Sequence, residues 1–451
     1  MDWENIEHLQ AAAQRVRAAY LKIVHSASIS DLQRPSLRDD PVKGQIWVSK
    51  FTTSRPTHDT SRELLLSLID QLNERNVRYE RPDSDSLKFE WIGYRHDAKK
   101  DTPEPASLSE SEKFQKLNAE TKGPQIILYV YGGTFALNTP SCYRRTTSLL
   151  AKATGAKVLM VHQRLAPQNP FPAALLDVFQ AYLTLLAPPP NSPHAAVSPR
   201  SIVLAGDSSG SCLAFGLLQI LLRLRRNGRS ILFHGHTVEP VVPAGIAVVS
   251  PIADLAASLP SFISNAKTDI FQQPHETLPY LLPGYPTCQL WPTRPPRANL
   301  YCESGMLAHP LASPAGSEDW TGCCPIWMAS GQEQSIDAAL LIAQVAHSQG
   351  VSVTLQEYEG MPHTFFFTFR DAPQTKMVLA EWARAILGFA SGVRHPSSVS
   401  FIRAKGLIAE NRPAENLVPF TVPQVREMMW VKSQRHKLPA HFREDRSRSS
   451  L

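Results

Sequence analysis

Cysteine is scarce in this chain and scattered along it. The six residues (Cys142, Cys212, Cys288, Cys302, Cys323 and Cys324) form no C-x-x-C pair and no ladder of short spacings. That excludes a structural zinc site and a disulfide framework, and leaves reduced thiols as the expectation. Long apolar runs are missing too: no stretch reaches the ~20 residues of a membrane-crossing helix. The opening Met1-Asp2-Trp3-Glu4 lacks the basic region and apolar run of a secretory signal, so a cytoplasmic location is expected. No unit repeats, which argues against solenoids and propellers. No metal or cofactor is expected from any motif, and no nucleic-acid fold motif is present.

What is there suits one large folded unit. A chain of 451 residues with 43% hydrophobic and 19% charged residues can bury a sizeable α/β core with appended segments. The formal charge of +6 is carried by the last stretch, where 393–451 holds eleven Lys/Arg against five Asp/Glu. The body is therefore close to neutral, and the tail reads as a solvated basic segment rather than a nucleic-acid grip.

Apolar residues at helical spacing predict an amphipathic helix from Leu9 to Val24, packed on the body with peripheral membrane contact as the alternative. A second short helix is expected from Leu64 to Leu72, and Arg95 to Gly123 reads as a polar surface linker. Short strand-length runs follow at 125–131, 157–162, 201–205, 243–249, 325–329 and 351–358. Helices are expected between them at 143–154, 171–187, 208–226 and 334–349. This alternation predicts a mostly parallel sheet with helices on both faces. The stretch 255–322 breaks the pattern with prolines and aromatics and reads as an inserted cap. The organisation expected is thus an N-terminal helical cap or lid over 1–85, an α/β domain over 86–392 and a basic tail over 393–451.

Chemistry concentrates at three places. Gly206-Asp207-Ser208-Ser209-Gly210 is a G-x-S-x-G set between a predicted strand and a predicted helix, where small flanking residues let a serine take a strained turn and present its hydroxyl. The amide of Ser209, at the helix N-terminus, would face a developing oxyanion. Upstream, Tyr131-Gly132-Gly133-Thr134 follows a buried strand, and its glycines allow close backbone approach with N–H groups turned inward. Downstream, His363 follows Gly360-Met361-Pro362 just beyond the last predicted strand, whereas His162, His309 and His347 lack that position. An acid is expected after the preceding strand. Glu333 lies nearest its end, with Asp337 one helical turn further as the alternative.

These motifs, taken in order, resemble the hormone-sensitive-lipase group of α/β-hydrolases, and particularly its fungal branch of esterases related to steryl acetyl hydrolases. The family's His-Gly-Gly-Gly block falls on Tyr131 to Thr134, and its Y-R-L-A-P-E-x-P-F-P-A-A block on Gln163 to Ala174. Gly206 to Gly210, Ser250-Pro251 with Asp254, His309-Pro310-Leu311 with Asp319-Trp320, the segment from Gly331 to Asp337, and Met361-Pro362-His363 complete the set across roughly 90–390. The departures are Tyr131 for the family histidine, Thr134 for the third glycine, and Ser209 and Ser211 after the serine. The resemblance implies an α/β-hydrolase fold and a cofactor-free serine esterase, with Ser208, His363 and Glu333 as catalytic residues and Gly132, Gly133, Thr134 and Ser209 as oxyanion or substrate-binding residues. It implies as substrate a short-chain, acetyl-like ester of a lipophilic alcohol such as a sterol or secondary metabolite. A non-hydrolytic use of the site in specialised metabolism and a catalytically inactive small-molecule binder are the alternatives.

Overall fold

The computed structural model describes residues 2–271, 278–393 and 395–442. Twelve strands are described: β1 (Ile46–Thr52), β2 (Lys88–Tyr94), β3 (Ile126–Val130), β4 (Lys157–Val161), β5 (Ile202–Asp207), β6 (Ile231–Phe233), β7 (His236–Val238), β8 (Gly245–Val249), β9 (Ile326–Gly331), β10 (Val353–Tyr358), β11 (Ser398–Ile402) and β12 (Ala409–Arg412). Ten of them form one sheet in the order β1-β2-β4-β3-β5-β8-β9-β10-β11-β12, and β6 and β7 pair as a separate ribbon. From β4 to β11 every neighbour is parallel, and the antiparallel pairs lie at the two edges. This is the mostly parallel, doubly covered sheet that the strand and helix alternation predicts.

Along β3, Ile126, Leu128 and Val130 face one core while Ile127 and Tyr129 face the other. The period-two pleat of a strand buried on both sides produces this division. The first core is closed by the helices Ser61–Leu72, Ala173–Leu186, Ser208–Arg226 and Ile336–Ser348, and the second by Pro140–Thr154 and Pro373–Ala390. The helix predicted near 9–24 spans Ile6–Ser26, starts on an Asn5 side chain that accepts from the His8 amide, and buries Leu9, Ala12, Ala13 and Val24. Its polar side docks on the cap, with Gln14 Nε2 donating to the Lys267 carbonyl at 2.8 Å and Arg17 to that of Ala266 at 3.0 Å. No helix among the described residues is long and apolar enough to cross a membrane.

Three expectations need correction. The segment 1–85 is not a purely helical cap, because Ile46–Thr52 pairs antiparallel with β2 from Ile46↔Tyr94 to Thr52↔Lys88 and belongs to the main sheet. Its aromatic and β-branched residues suit a half-buried edge strand. The polar stretch 95–123 is not simply a linker. Ser109 and Glu112 form a capping box that starts a helix over Glu110–Glu120, and this helix buries Phe114 and Leu117. Nor does the α/β unit stop at 392. β11 runs parallel to β10, and the helix Val422–Ser433, opened by a second capping box at Thr421 and Gln424, buries Val425 and Met429 in the first core. Arg403, Arg412 and Arg435 of this segment are exposed, while Val425 and Met429 dock. The cap, 255–322, carries only short helical turns among its described residues.

Truncating Met429 to alanine is expected to lower unfolding free energy by about 2–5 kcal/mol. Ile408→Ser, at a residue 63% exposed, should stay within ~0.5 kcal/mol. Urea unfolding compares the two, and equal effects would mean that the tail is not part of the cooperative unit.

Candidate active site

The helix Ser208–Arg226 crosses the end of β3 in close backbone contact. A Cβ placed on Gly206 would sit 2.5 Å from the Val130 carbonyl oxygen, and one on Gly210 2.0 Å from the same atom. Only glycine fits at either position. Between them Ser208 takes φ 51°, a left-handed conformation that lifts its side chain off the sheet at the first residue of the helix.

The loops after β9 and β10 bring the partners. His363 Nε2 lies 2.8 Å from Ser208 Oγ, and His363 Nδ1 lies 2.9 Å from Glu333 Oε2. The second carboxylate oxygen of Glu333 accepts from the Ser330 hydroxyl. Glu333 is 0% and His363 2% exposed, so the chain of hydrogen bonds is shielded from water. A Cβ on Gly331 would meet the Met361 carbonyl at 2.1 Å, which is why the two loops can come this close. Burial works against a charged imidazole. The charge and hydrogen bond of Glu333, helped by Asp269 and Asp207, outweigh it and hold His363 above the ordinary histidine value. Asp337 is turned away, accepting from the Ser261 amide at 2.8 Å. His162, His309 and His347 also lie elsewhere, beside Glu90, the Ile69 carbonyl and Glu415 respectively.

The loop 131–138 faces Ser208 from the other side. Gly133, Thr134, Phe135 and Asn138 all have positive φ, and the β-branched Thr134 takes this conformation at some steric cost. Among the described residues none accepts from the amides of Gly133, Thr134 or Ser209. The Gly132 amide is directed instead at Asp207 Oδ1, 3.4 Å away, and the Phe135 amide at Ser209 Oγ, 3.2 Å away. Gly132 thus serves close approach, since a Cβ there would lie 2.8 Å from that of Ser208. Amide side chains brace this loop, Gln163 from the start of the 163–174 block and Asn138 and Gln33 from outside the motifs. Gln163 donates to the Tyr131 carbonyl at 3.2 Å, Asn138 to that of Gly132 at 3.1 Å, and Gln33 from the N-terminal region to that of Ala136 at 2.8 Å. Their amide chemistry is generic, and only the fold brings them to carbonyls 32 and 103 residues away or, for Asn138, six. Asp269, which motif reading missed, lies in the patternless cap and accepts from the His363 amide at 3.0 Å.

Two cavities adjoin near the serine, and only the first is lined by it. One of about 300 Å³ is lined by Ser208 and His363 together with Asn138, Cys142, Tyr143 and Phe367. The other, about 240 Å³ and mostly apolar, lies under the N-terminal helix and cap, with Val24, Leu255, Phe262, Tyr280 and Tyr301 in its wall. Tyr20, Thr134, Leu137 and Phe271 border both.

Asp207 is fully buried beside the serine, taking hydrogen bonds from Tyr129 at 2.8 Å and Tyr143 at 3.1 Å. Burial nonetheless raises its carboxyl to about 6. The fold therefore holds this proton to higher pH than the unfolded chain does. The stabilisation linked to it is present below about pH 4 and lost as the pH rises through about 6. Asp207→Asn should thus gain stability relative to the native protein between pH 4 and 7, read by urea titrations across that range. A difference independent of pH would show that Asp207 ionises as an ordinary carboxyl.

The family model described as alpha/beta hydrolase fold matches residues 127–367, the span that carries all of these motifs. An acetyl-hydrolase of Streptomyces hygroscopicus is 32% identical over 267 residues, covering 59% of this chain and 76% of that protein. An esterase of Acinetobacter venetianus is 26% identical over 270 residues, covering 60% and 77%. The crystal structure of an esterase from the bacterial hormone-sensitive lipase family superposes with a TM-score of 0.53 at 21% identity, covering 85% of this chain and 98% of the other. With the family's span, its strand order and its serine turn all in place, the chain belongs to the α/β-hydrolase fold family.

Proposed function

We propose that this carboxylic ester hydrolase cleaves short-chain, acetyl-like esters of a lipophilic alcohol through an acyl-enzyme on Ser208. The observation that carries the reading is the buried chain from Ser208 through His363 to Glu333 at the head of a helix. Ser208 Oγ attacks the ester carbonyl carbon while His363 Nε2 takes its proton. Glu333 keeps the imidazole in the tautomer with Nε2 free and stabilises the imidazolium without taking the proton. The carbonyl oxygen, now an oxyanion, is held by the amides of Gly133, Thr134 and Ser209. Each such donor typically contributes about 3 kcal/mol to the transition state. As the tetrahedral species collapses, the carbon–oxygen bond to the alcohol breaks and the imidazolium protonates the leaving alkoxide. Water, deprotonated by the same imidazole, then releases the acid and restores Ser208.

The cavity walls support this substrate class. In this reading the apolar cavity under the N-terminal helix and cap takes a bulky alcohol such as a sterol or secondary metabolite. Thr134 and Phe135, whose ring stacks on Tyr301 with centroids 3.7 Å apart, restrict the acyl side to short chains. The acetyl-hydrolase among the relatives supports an acetyl group. Membership of the fungal branch related to steryl acetyl hydrolases belongs to the same proposal.

Stopped-flow release of p-nitrophenol from its acetate and octanoate tests it. The expected result is a burst followed by turnover, larger for acetate, abolished in Ser208→Ala and reduced by at least about a thousandfold in His363→Ala. A burst without turnover, or release that survives Ser208→Ala, would overturn it.

A further inference from the structure

Asp269 stands outside every family motif, in the irregular cap, and its carboxylate is 0% exposed. Oδ1 accepts from the His363 amide at 3.0 Å and from its neighbour Ile270 at 2.7 Å, while Oδ2 accepts from the Gln334 amide at 2.7 Å. One anion therefore grips the main chain at the histidine itself and at the residue next to Glu333. The two loops that must meet at the imidazole are pinned from a third segment, independently of the Glu333–His363 bond. The N-terminal helix steadies that third segment through Gln14 and Arg17, which hold the carbonyls of Lys267 and Ala266.

A neutral hydroxyl could anchor one such amide without the cost of burying a charge. The charge adds a field at the imidazole. His363 faces Glu333 from the loop after β9, Asp207 from the end of β5 and Asp269 from the cap, with the Phe271 ring centred 4.3 Å from its own. We propose that Asp269 is a positioning residue that sets the main chain of His363 and Gln334 and supplies a second negative charge, beside that of Glu333, which stabilises the imidazolium formed during acyl transfer. This inference rests on the acyl-transfer reading above.

The cause is physical and its sign is definite. Burial disfavours the charged imidazole, and the Asp269 carboxylate counters it. Neutralising Asp269 should therefore make His363 release its proton at lower pH, so that the acidic limb of kcat/KM moves the same way. A purely structural anchor would lower activity only as the fold weakens, without moving that limb.

The experiment is an NMR titration of the His363 imidazole in native protein, Asp269→Asn and Asp269→Ser. The pH profile of p-nitrophenyl acetate turnover and the thermal midpoint are measured on the same samples, with Ser208→Ala as the blank. The expected result is a His363 titration at least about half a pH unit lower in Asp269→Asn. It should come with a kcat loss of about 10- to 100-fold and KM within about twofold. Native titration in a folded Asp269→Asn, or activity that falls only in step with the thermal midpoint, overturns the proposal. So does failure of both variants to fold, since the residue would then hold the fold rather than the imidazole. If the native protein has no turnover but the titration shift is present, the acyl-transfer reading fails while the positioning stands.

Discussion

Everything at this site depends on one close approach, that of the helix Ser208–Arg226 to the Val130 carbonyl at the end of β3. Gly206 and Gly210 exist at this crossing because any side chain would collide with that oxygen. The approach sets the position of Ser208 on the sheet, brings the loop 131–138 level with it, and leaves the Gly132 amide within reach of Asp207. Once the crossing is made, the parallel order β5-β8-β9-β10 delivers the loops carrying Glu333 and His363 to the same edge. In open parallel sheets ligands generally gather beyond the carboxyl ends of the strands, and this edge is an instance.

The electrostatics follow from the same compactness. Glu333, Asp207 and Asp269 are all within the dry interior around one histidine, and each is satisfied differently: by a hydroxyl and the imidazole, by two tyrosines and an amide, and by three amides. Carboxylates so placed cannot all ionise with equal ease. Burial raises the carboxyls of both Asp207 and Asp269, and of the three groups Glu333, hydrogen-bonded directly to Nδ1, contributes most to holding His363 up, with Asp269 next.

The sequence was most readable where backbone geometry demands particular residues. The G-x-S-x-G turn, the paired glycines after β3 and the histidine behind Met361-Pro362 are short-range signals, and the Ser208 and His363 side chains do meet. Helix cores such as Ser208–Arg226 carry a dense apolar pattern that short-range reading captures. The capping box at Ser109 and Glu112 was equally local, yet the charge around it concealed the two buried residues, Phe114 and Leu117, that make the helix worth forming. Edge strands were harder. Thr52 and Arg412 lie in strands whose pairing is settled by distant partners, and a solvated strand looks like a loop. Least legible were Gln33 and Asp269, because a lone polar residue gives no hint of the carbonyl or amide that a remote segment will bring to it.

The N-terminal helix has a consequence for how the chain is made. Its Gln14 meets the Lys267 carbonyl 253 residues further along. At a synthesis rate of roughly 5–20 residues per second, that partner emerges on the order of ten to fifty seconds later. During this interval the helix has apolar residues, Leu9 and Val24 among them, and nothing to lay them on. The helix that covers the finished pocket therefore waits, with Leu9 and Val24 uncovered, until the segments it packs on have been translated.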